Sequence, residues 1–400
     1  KKGASHSILE AARDALFLVG LPASRLPIVY LAIGAASLLI SELQSYLKGG
    51  ASRRRTLQGW TAVAGAVTVG FWLTLPALGN IGLYALYVWS GVVTTLILVH
   101  FWTLLSGAFS VTEAKRAYGV IGVGSVTGGI AGSAVASALV SSIGPRHLLL
   151  IAGLGWAAAA VGASFLQDSG TTQQAKVREG IGASLRVALG QPFVLRLMGL
   201  VFVSATAVTF ADYLFKSTAA EQFSPEQLAP FFAKTYLALN IASLGVQLLL
   251  VGPVISRLGV LGAFALLPLA LLGSSVGMLL AGGWVAALVV KGSDGALRHT
   301  MHRTSLELLF VPLPERMRER AKTIADVVAQ RGGQALASVA ILTLAAVGGP
   351  IELVAAAVVV ALAGLALAAA SGSAIARLAG ASATISTLGL LIILHSLAVG

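Results

Sequence analysis

The apolar residues of this chain fall into blocks of about 20, separated by short polar stretches. That is about the number a helix rising 1.5 Å per residue needs to cross ~30 Å of hydrocarbon. Each block therefore reads as a candidate membrane span. A soluble fold is excluded by the same pattern, because 57% of residues are hydrophobic and only 10% are charged, against about 25% charged in an average soluble domain. The 46 glycines suit close helix packing in lipid, where apolar surface gains little by leaving the acyl tails for another helix.

Apolar runs place spans near 23–47, 57–79, 81–105, 118–142 and 146–166, then, after a polar stretch, near 192–213, 231–252, 260–281, 284–309, 323–347 and 351–371, with a last one over 378–399. Basic residues test the order, because loops must alternate between two faces. Lys48, Arg53, Arg54, Arg55, Lys115, Arg116, Lys176, Arg178, Arg186, Arg257, Arg316, Arg318, Arg320, Lys322 and Arg377 fall on one face, read as cytoplasmic. Lys1, Lys2, Arg13, Arg25, Arg146, Lys216 and Lys234 fall on the other. Loop charge of this kind accounts for the net +12 without invoking nucleic acid, which is not an expected partner.

The predicted fold is an all-α polytopic membrane protein of twelve transmembrane helices in two six-helix bundles, the arrangement of major-facilitator carriers. Residues 1–166 form the first bundle and 192–372 the second. A cytoplasmic connector over 167–191 carries an amphipathic helix, with Val177, Ile181, Leu185, Ala188 and Leu189 at helical spacing. Residues 373–400 hold a linker and the twelfth span. With only five spans in the first half, 378–399 is expected in the place of its first helix, as in a permuted chain; an additional C-terminal helix is the alternative. No cleavable leader is expected, since Glu10, Arg13 and Asp14 interrupt any apolar region there.

Site chemistry concentrates in 284–309, where Lys291, Asp294, Arg298 and His302 fall within roughly an 80° arc at 100° per residue. Charges at membrane depth cost several kcal/mol each, so this face is expected to line a wet cavity with excess positive charge suited to an anion. The plainer reading pairs Asp294 with Arg298 and Glu307 with Arg303 along the helix. Tyr236, Asn240, Ser243 and Gln247 make a polar stripe, read as cavity lining or as helix-to-helix hydrogen bonding. Asp212 and Lys216 close a span and are expected at the extracytoplasmic mouth; Tyr84 and Tyr87 are assigned to the interfacial aromatic belt. Asp326 and Arg331, five apart, need partners on other helices. Gly124, Gly128 and Gly132 form overlapping GxxxG units for packing. The chain has no cysteine, no Walker loop and no nucleophile elbow, and His299 with His302 lacks a clear third ligand, so no enzyme, cofactor or metal site is expected.

Several loops resemble the ATP/ADP translocase family of nucleotide transporters and its major-facilitator-like bacterial relatives. They are Ala12-Arg13-Asp14-Ala15-Leu16-Phe17, Thr112-Glu113-Ala114-Lys115-Arg116-Ala117-Tyr118-Gly119, Asp212-Tyr213-Leu214-Phe215-Lys216, Gln247 leading to Arg257-Leu258-Gly259-Val260, and Leu308 to Pro314 followed by Arg320 and Lys322. The resemblance implies a multi-pass protein of the bacterial inner membrane that exchanges ATP for ADP by alternating access. It also implies phosphate-binding roles for Arg13, Lys216, Arg298 and Arg331, and a gating role for Glu113, Lys115, Arg116 and Arg257 in the cytoplasmic loops. The 118–142 span departs from the translocase pattern by lacking any acidic residue. The expected substrate set is therefore Arg13, Lys216, Tyr236, Asn240, Gln247, Lys291, Asp294, Arg298 and Arg331, around a small anion that is most simply a nucleotide. Two rivals stand beside it: a proton-coupled carrier of another organic anion, with Asp294 or Glu307 titrating, and a membrane-embedded sensor or scaffold for a cytoplasmic regulatory domain outside this chain.

Overall fold

The computed structural model describes residues 2–46, 53–108, 111–165, 185, 190–310, 313 and 315–346, nearly all of them helical. We number the helices α1 (Lys2–Gly20), α2 (Leu26–Tyr46), α3 (Arg53–Ala108), α4 (Val111–Ser164), α5 (Pro192–Gln222), α6 (Pro225–Gly245), α7 (Val251–Ala281), α8 (Gly283–Leu297), α9 (Arg303–Phe310), α10 (Glu315–Ile324) and α11 (Gln330–Ala346). Single π-helical turns join α6 to α7, α8 to α9 and α10 to α11. The connector helix expected in 167–191 and the spans at 351–371 and 378–399 lie outside the described residues.

Glycine sets the reversals inside the long helices. Gly79, Gly144 and Gly259 have φ of 51°, 77° and 70°, a region that costs any residue with a Cβ, so the chain folds back there into two arms. Pro145 follows Gly144 and starts the second arm of α4 at the one position where its missing N–H is harmless. At the start of α6, Pro225 follows an N-terminal box in which Gln227 Oε1 accepts from the Ser224 N–H at 3.1 Å.

Residues 2–20 correct the predicted span map. The first span was expected to begin near residue 23, yet α1 is a buried helix of the bundle whose inward face includes Leu9, Ala12, Ala15 and Phe17. Its charges hid it, because Glu10, Arg13 and Asp14 break the apolar run but find partners inside the fold. His6 lies beside Thr94, Arg13 beside Ser90 and Gly20 beside Leu83, so α1 runs antiparallel to the second arm of α3. Lys2 therefore sits at the basic end of the bundle that also holds Lys115 and Arg116, opposite to the face expected for it. Before residue 166, α1, α2, the two arms of α3 and the two arms of α4 already supply six rods. That removes the reason for moving 378–399 into the first half.

Small residues bring these helices together. A Cβ on Gly132 would overlap the Ala4 backbone and one on Gly128 would touch Gly3 and Ala4, which bears out the packing reading for these two glycines, whereas a Cβ on Gly124 would meet nothing within 4 Å among the described residues. Across the molecule, Thr206 of α5 donates to the Gly333 carbonyl of α11 at 3.2 Å. A continuous apolar core joins residues from both sides of the connector, including Phe17, Leu86, Leu148, Leu214, Phe232 and Phe310. Among the described residues, five stretches, Ala23–Ile40, Arg54–Ile97, Val123–Ser164, Pro192–Gln222 and Pro225–Ala281, are long and apolar enough to cross a membrane, and leucines such as Leu39, Leu249 and Leu280 face outward from them.

Candidate functional site

Helices from both sides of the connector meet at a buried chain of alternating charges. Asp14 on α1 binds Arg13 Nε at 3.0 Å and Lys216 Nζ at 3.2 Å. Lys216 also reaches Asp212, one turn earlier on α5, at 2.8 Å. Asp212 in turn holds Lys291 of α8 at 2.7 Å, and Lys291 lies 3.5 Å from Asp294, which pairs with Arg298 at 3.1 Å. Glu10 approaches Arg13 at 3.8 Å. Spacings of three and four along α1, α5 and α8 put these groups on inward helix faces.

Three tyrosines tie the chain together. Tyr30 of α2 donates to Asp212 at 2.8 Å and Tyr236 of α6 donates to Asp14 at 2.5 Å. Tyr87 of α3 accepts from Lys216 at 2.8 Å, and its ring lies 4.4 Å from the Arg13 guanidinium carbon. Each carboxylate thus has several charged or hydroxyl partners, which is what burial of an ion demands.

Exposure is graded along the network. Asp14 and Lys216 are sealed at 0% and 2% side-chain exposure, whereas Glu10 and Arg298 reach 30% and 34% and His6 reaches 36%. Asp294 Oδ1 and Arg298 Nε sit at ion-pair distance yet off hydrogen-bonding angle, so neither buried atom has a hydrogen-bond partner among the described residues. A buried polar group in that condition calls for an explanation. The network is sealed at Asp14 and Lys216 and part-exposed at Glu10 and Arg298, with the incompletely satisfied pair beside that rim. A cleft of about 510 Å³ opens between the α1–α2 turn and α5, and Glu221 is the single charged residue in its lining.

Of the predicted substrate residues, Arg13, Lys216, Tyr236, Lys291, Asp294 and Arg298 come together here. The excess positive charge expected of them does not. Arg13, Lys216, Lys291 and Arg298 face Glu10, Asp14, Asp212 and Asp294, so cations and anions balance. Two further expectations are corrected. Asp212 and Lys216 are not at a mouth but in the interior, since α5 continues to Gln222, and Tyr87 is buried at the network and not in an interfacial belt.

The remaining residues take other places. Asn240 donates to the Gly129 carbonyl at 3.3 Å and to Ser133 at 3.2 Å, and Ser243 donates to the Gly295 carbonyl at 2.8 Å, so these two hold helices together. Gln247 is half-buried in the π-turn after α6. His302 leaves the Lys291 face, because the π-turn Arg298–His302 changes the helical phase, and stacks on Phe264 with ring centroids 4.2 Å apart. Arg331 donates to Thr95 of α3 at 2.6 Å and to Gln334 at 2.9 Å, with no carboxylate in ion-pair reach among the described residues. Asp326 meets Arg303 of α9 at 3.2 Å, so both members of that pair do find partners on other helices. Arg257 is exposed just before the Gly259 reversal. Glu113, Lys115 and Arg116 lie on α4, but their side chains are outside the described residues.

Asp14, Asp212, Tyr30 and Tyr87 were absent from the predicted site. An acid inside an apolar helix is itself a signal, and Asp14 and Asp212 both carry it; Tyr87 shares a helix face with Ser90 and Thr94 at spacings of three and four.

No family model matches this chain and no curated protein matches it. Among solved structures, the crystal structure of the nucleoside transporter NupG superposes with a TM-score of 0.61 over 93% of this chain and 99% of that chain, at 11% identity. At that identity the likeness is one of fold. Together with the long apolar helices it makes this chain an integral, multi-pass, nearly all-helical membrane protein with a fold of the major-facilitator type.

Proposed function

We propose that the protein is a secondary carrier that moves a small organic solute by alternating access, the solute entering at the rim formed by His6, Glu10 and Arg298. The observation that supports this reading most is the network itself. Eight ionisable groups are kept inside apolar helices, where each is costly, at the junction of helices from both sides of the connector, and the chain of partners is part-exposed at one end and sealed at the other. A static bundle gains nothing from such an arrangement, because a well-packed apolar core of the same volume is as stable or more so. Two helical groups held by exchangeable ion pairs can part and re-form.

The charge balance favours one class of cargo. A site with four cations against four anions complements a neutral or zwitterionic solute rich in donors and acceptors better than a polyanion, which would require the carboxylates to withdraw. A nucleoside, the cargo named for the structurally similar transporter, is of that kind. Nucleotide exchange, as implied by the loop resemblance, is the second reading, favoured by Arg331, which has no carboxylate in ion-pair reach among the described residues. Uptake of radiolabelled nucleosides, ATP, ADP and phosphate into proteoliposomes separates the two: nucleoside uptake unaffected by excess ATP is expected. Uptake of ATP against ADP would replace the first cargo by the second. No uptake of any solute would sink both and leave the scaffold reading.

A further inference from the structure

The two sides of the connector repeat a short sequence. In α2 the run Tyr30-Leu31-Ala32-Ile33-Gly34-Ala35-Ala36-Ser37-Leu38 matches Tyr236-Leu237-Ala238-Leu239-Asn240-Ile241-Ala242-Ser243-Leu244 of α6 in its Tyr, Leu and Ala at the start and its Ala, Ser and Leu at the end. The helix before each carries an Asp-x-Leu-Phe, Asp14 to Phe17 in α1 and Asp212 to Phe215 in α5. The pairs α1–α2 and α5–α6 are therefore internal equivalents, as in folds built from two parallel repeats around an axis along the membrane normal.

A twofold axis makes every contact across it occur twice, residue i meeting j and the equivalent of j meeting the equivalent of i. That is what the tyrosines do. Tyr30 binds Asp212 at 2.8 Å and Tyr236 binds Asp14 at 2.5 Å, each repeat's tyrosine capping the other repeat's aspartate. Lys216, whose equivalent position holds Leu18, bridges both aspartates at 3.2 and 2.8 Å and so stands next to the axis. Each aspartate then takes one further cation from its own repeat, Arg13 for Asp14 and Lys291 for Asp212.

We propose that the reciprocal pairs Tyr30–Asp212 and Tyr236–Asp14, with Lys216 between them, form a duplicated latch that holds the two repeats together beside the cleft between the α1–α2 turn and α5 and opens as a unit when they rock apart. The sealed part of the network lies toward that cleft, and the part-exposed rim toward the other end. Because one axis relates the two pairs, a rotation that breaks one breaks both. This rests on the alternating-access reading, but its test needs no solute.

The chain has no native cysteine, so Ser24→Cys and Gln222→Cys, both at exposed positions, allow one spin label on each repeat and a distance distribution by pulsed electron resonance in nanodiscs. Tyr30→Phe and Tyr236→Phe keep the rings and remove the donors. Each is expected to raise the ratio of long to short distances about tenfold, and the two together about a hundredfold, the worth of one and two hydrogen bonds to a charged group. Tyr213→Phe, beside Asp212 but outside both pairs, is expected to leave the distribution as it was. A parental distribution in the double variant, or an equal shift from Tyr213→Phe, would overturn the latch. Failure of solute uptake with the distances shifting as described would count against the carrier and leave the latch standing.

Discussion

Two clusters of ion pairs built from the same side-chain chemistry stand at different depths. At the end of the bundle, Arg303 pairs with Glu307 at 2.9 Å and with Asp326 at 3.2 Å, and Lys322 closes on Glu307, with side chains 37% to 45% exposed. In the interior, Asp14, Lys216, Asp212 and Lys291 make contacts of similar length with almost no access to solvent at Asp14 and Lys216. Distance does not separate them; water does. Exposed pairs lose their attraction to a high dielectric and to salt, while a buried pair that loses one member strands an uncompensated charge. The end cluster can fray without consequence, whereas the interior network couples every helix that contributes to it.

Four experiments test that contrast, in order of expected effect. Asp212→Asn removes the carboxylate shared by Lys216, Lys291 and Tyr30 and is expected to cost about 3–5 kcal/mol, read as a large drop in the thermal unfolding midpoint in detergent. A midpoint close to the parent's would mean that the interior is wetter than the packing implies. Lys216→Met and Asp14→Asn, combined, should be less damaging than the sum of the two alone by about 1–3 kcal/mol, because the pair leaves together; strict additivity would show that the two do not interact. Arg298→Gln, at the part-exposed rim, is expected to fall between the clusters at about 1–2 kcal/mol, with a larger effect on uptake than on the midpoint. Smallest is Glu307→Gln, under about 1 kcal/mol. Its effect should vanish near 1 M salt, where screening acts over roughly 3 Å, while the Asp212→Asn deficit persists.

The internal repeat was present in the sequence throughout and marks Tyr30 as the equivalent of Tyr236 and Asp14 as the equivalent of Asp212, which helical spacing within one helix does not. Lys291, Asp294 and Arg298 were found because three inward charges share one face of one helix. Tyr87 and Ser90 stand with Thr94 on one face of their helix at spacings of three and four, but what gives that stripe meaning is Lys216 or Arg13 arriving from another helix. The prediction for His302 failed for a local reason, since periodicity assumes a regular helix and one π-turn changes its phase.

The sequence by itself determined the long apolar helices, most of their order, and the glycine-rich faces on which they pack, because those depend on the length of each apolar run and the size of side chains within it. It also determined that ionisable groups stand inside the helices. Only the tertiary structure decided that α1 belongs to the bundle and that the interior charges cancel. Both follow from pairings between residues as far apart as Asp14 and Tyr236, and the energy of a buried charge is set by which partner stands beside it and by the absence of water, neither of which is a property of the helix that carries it.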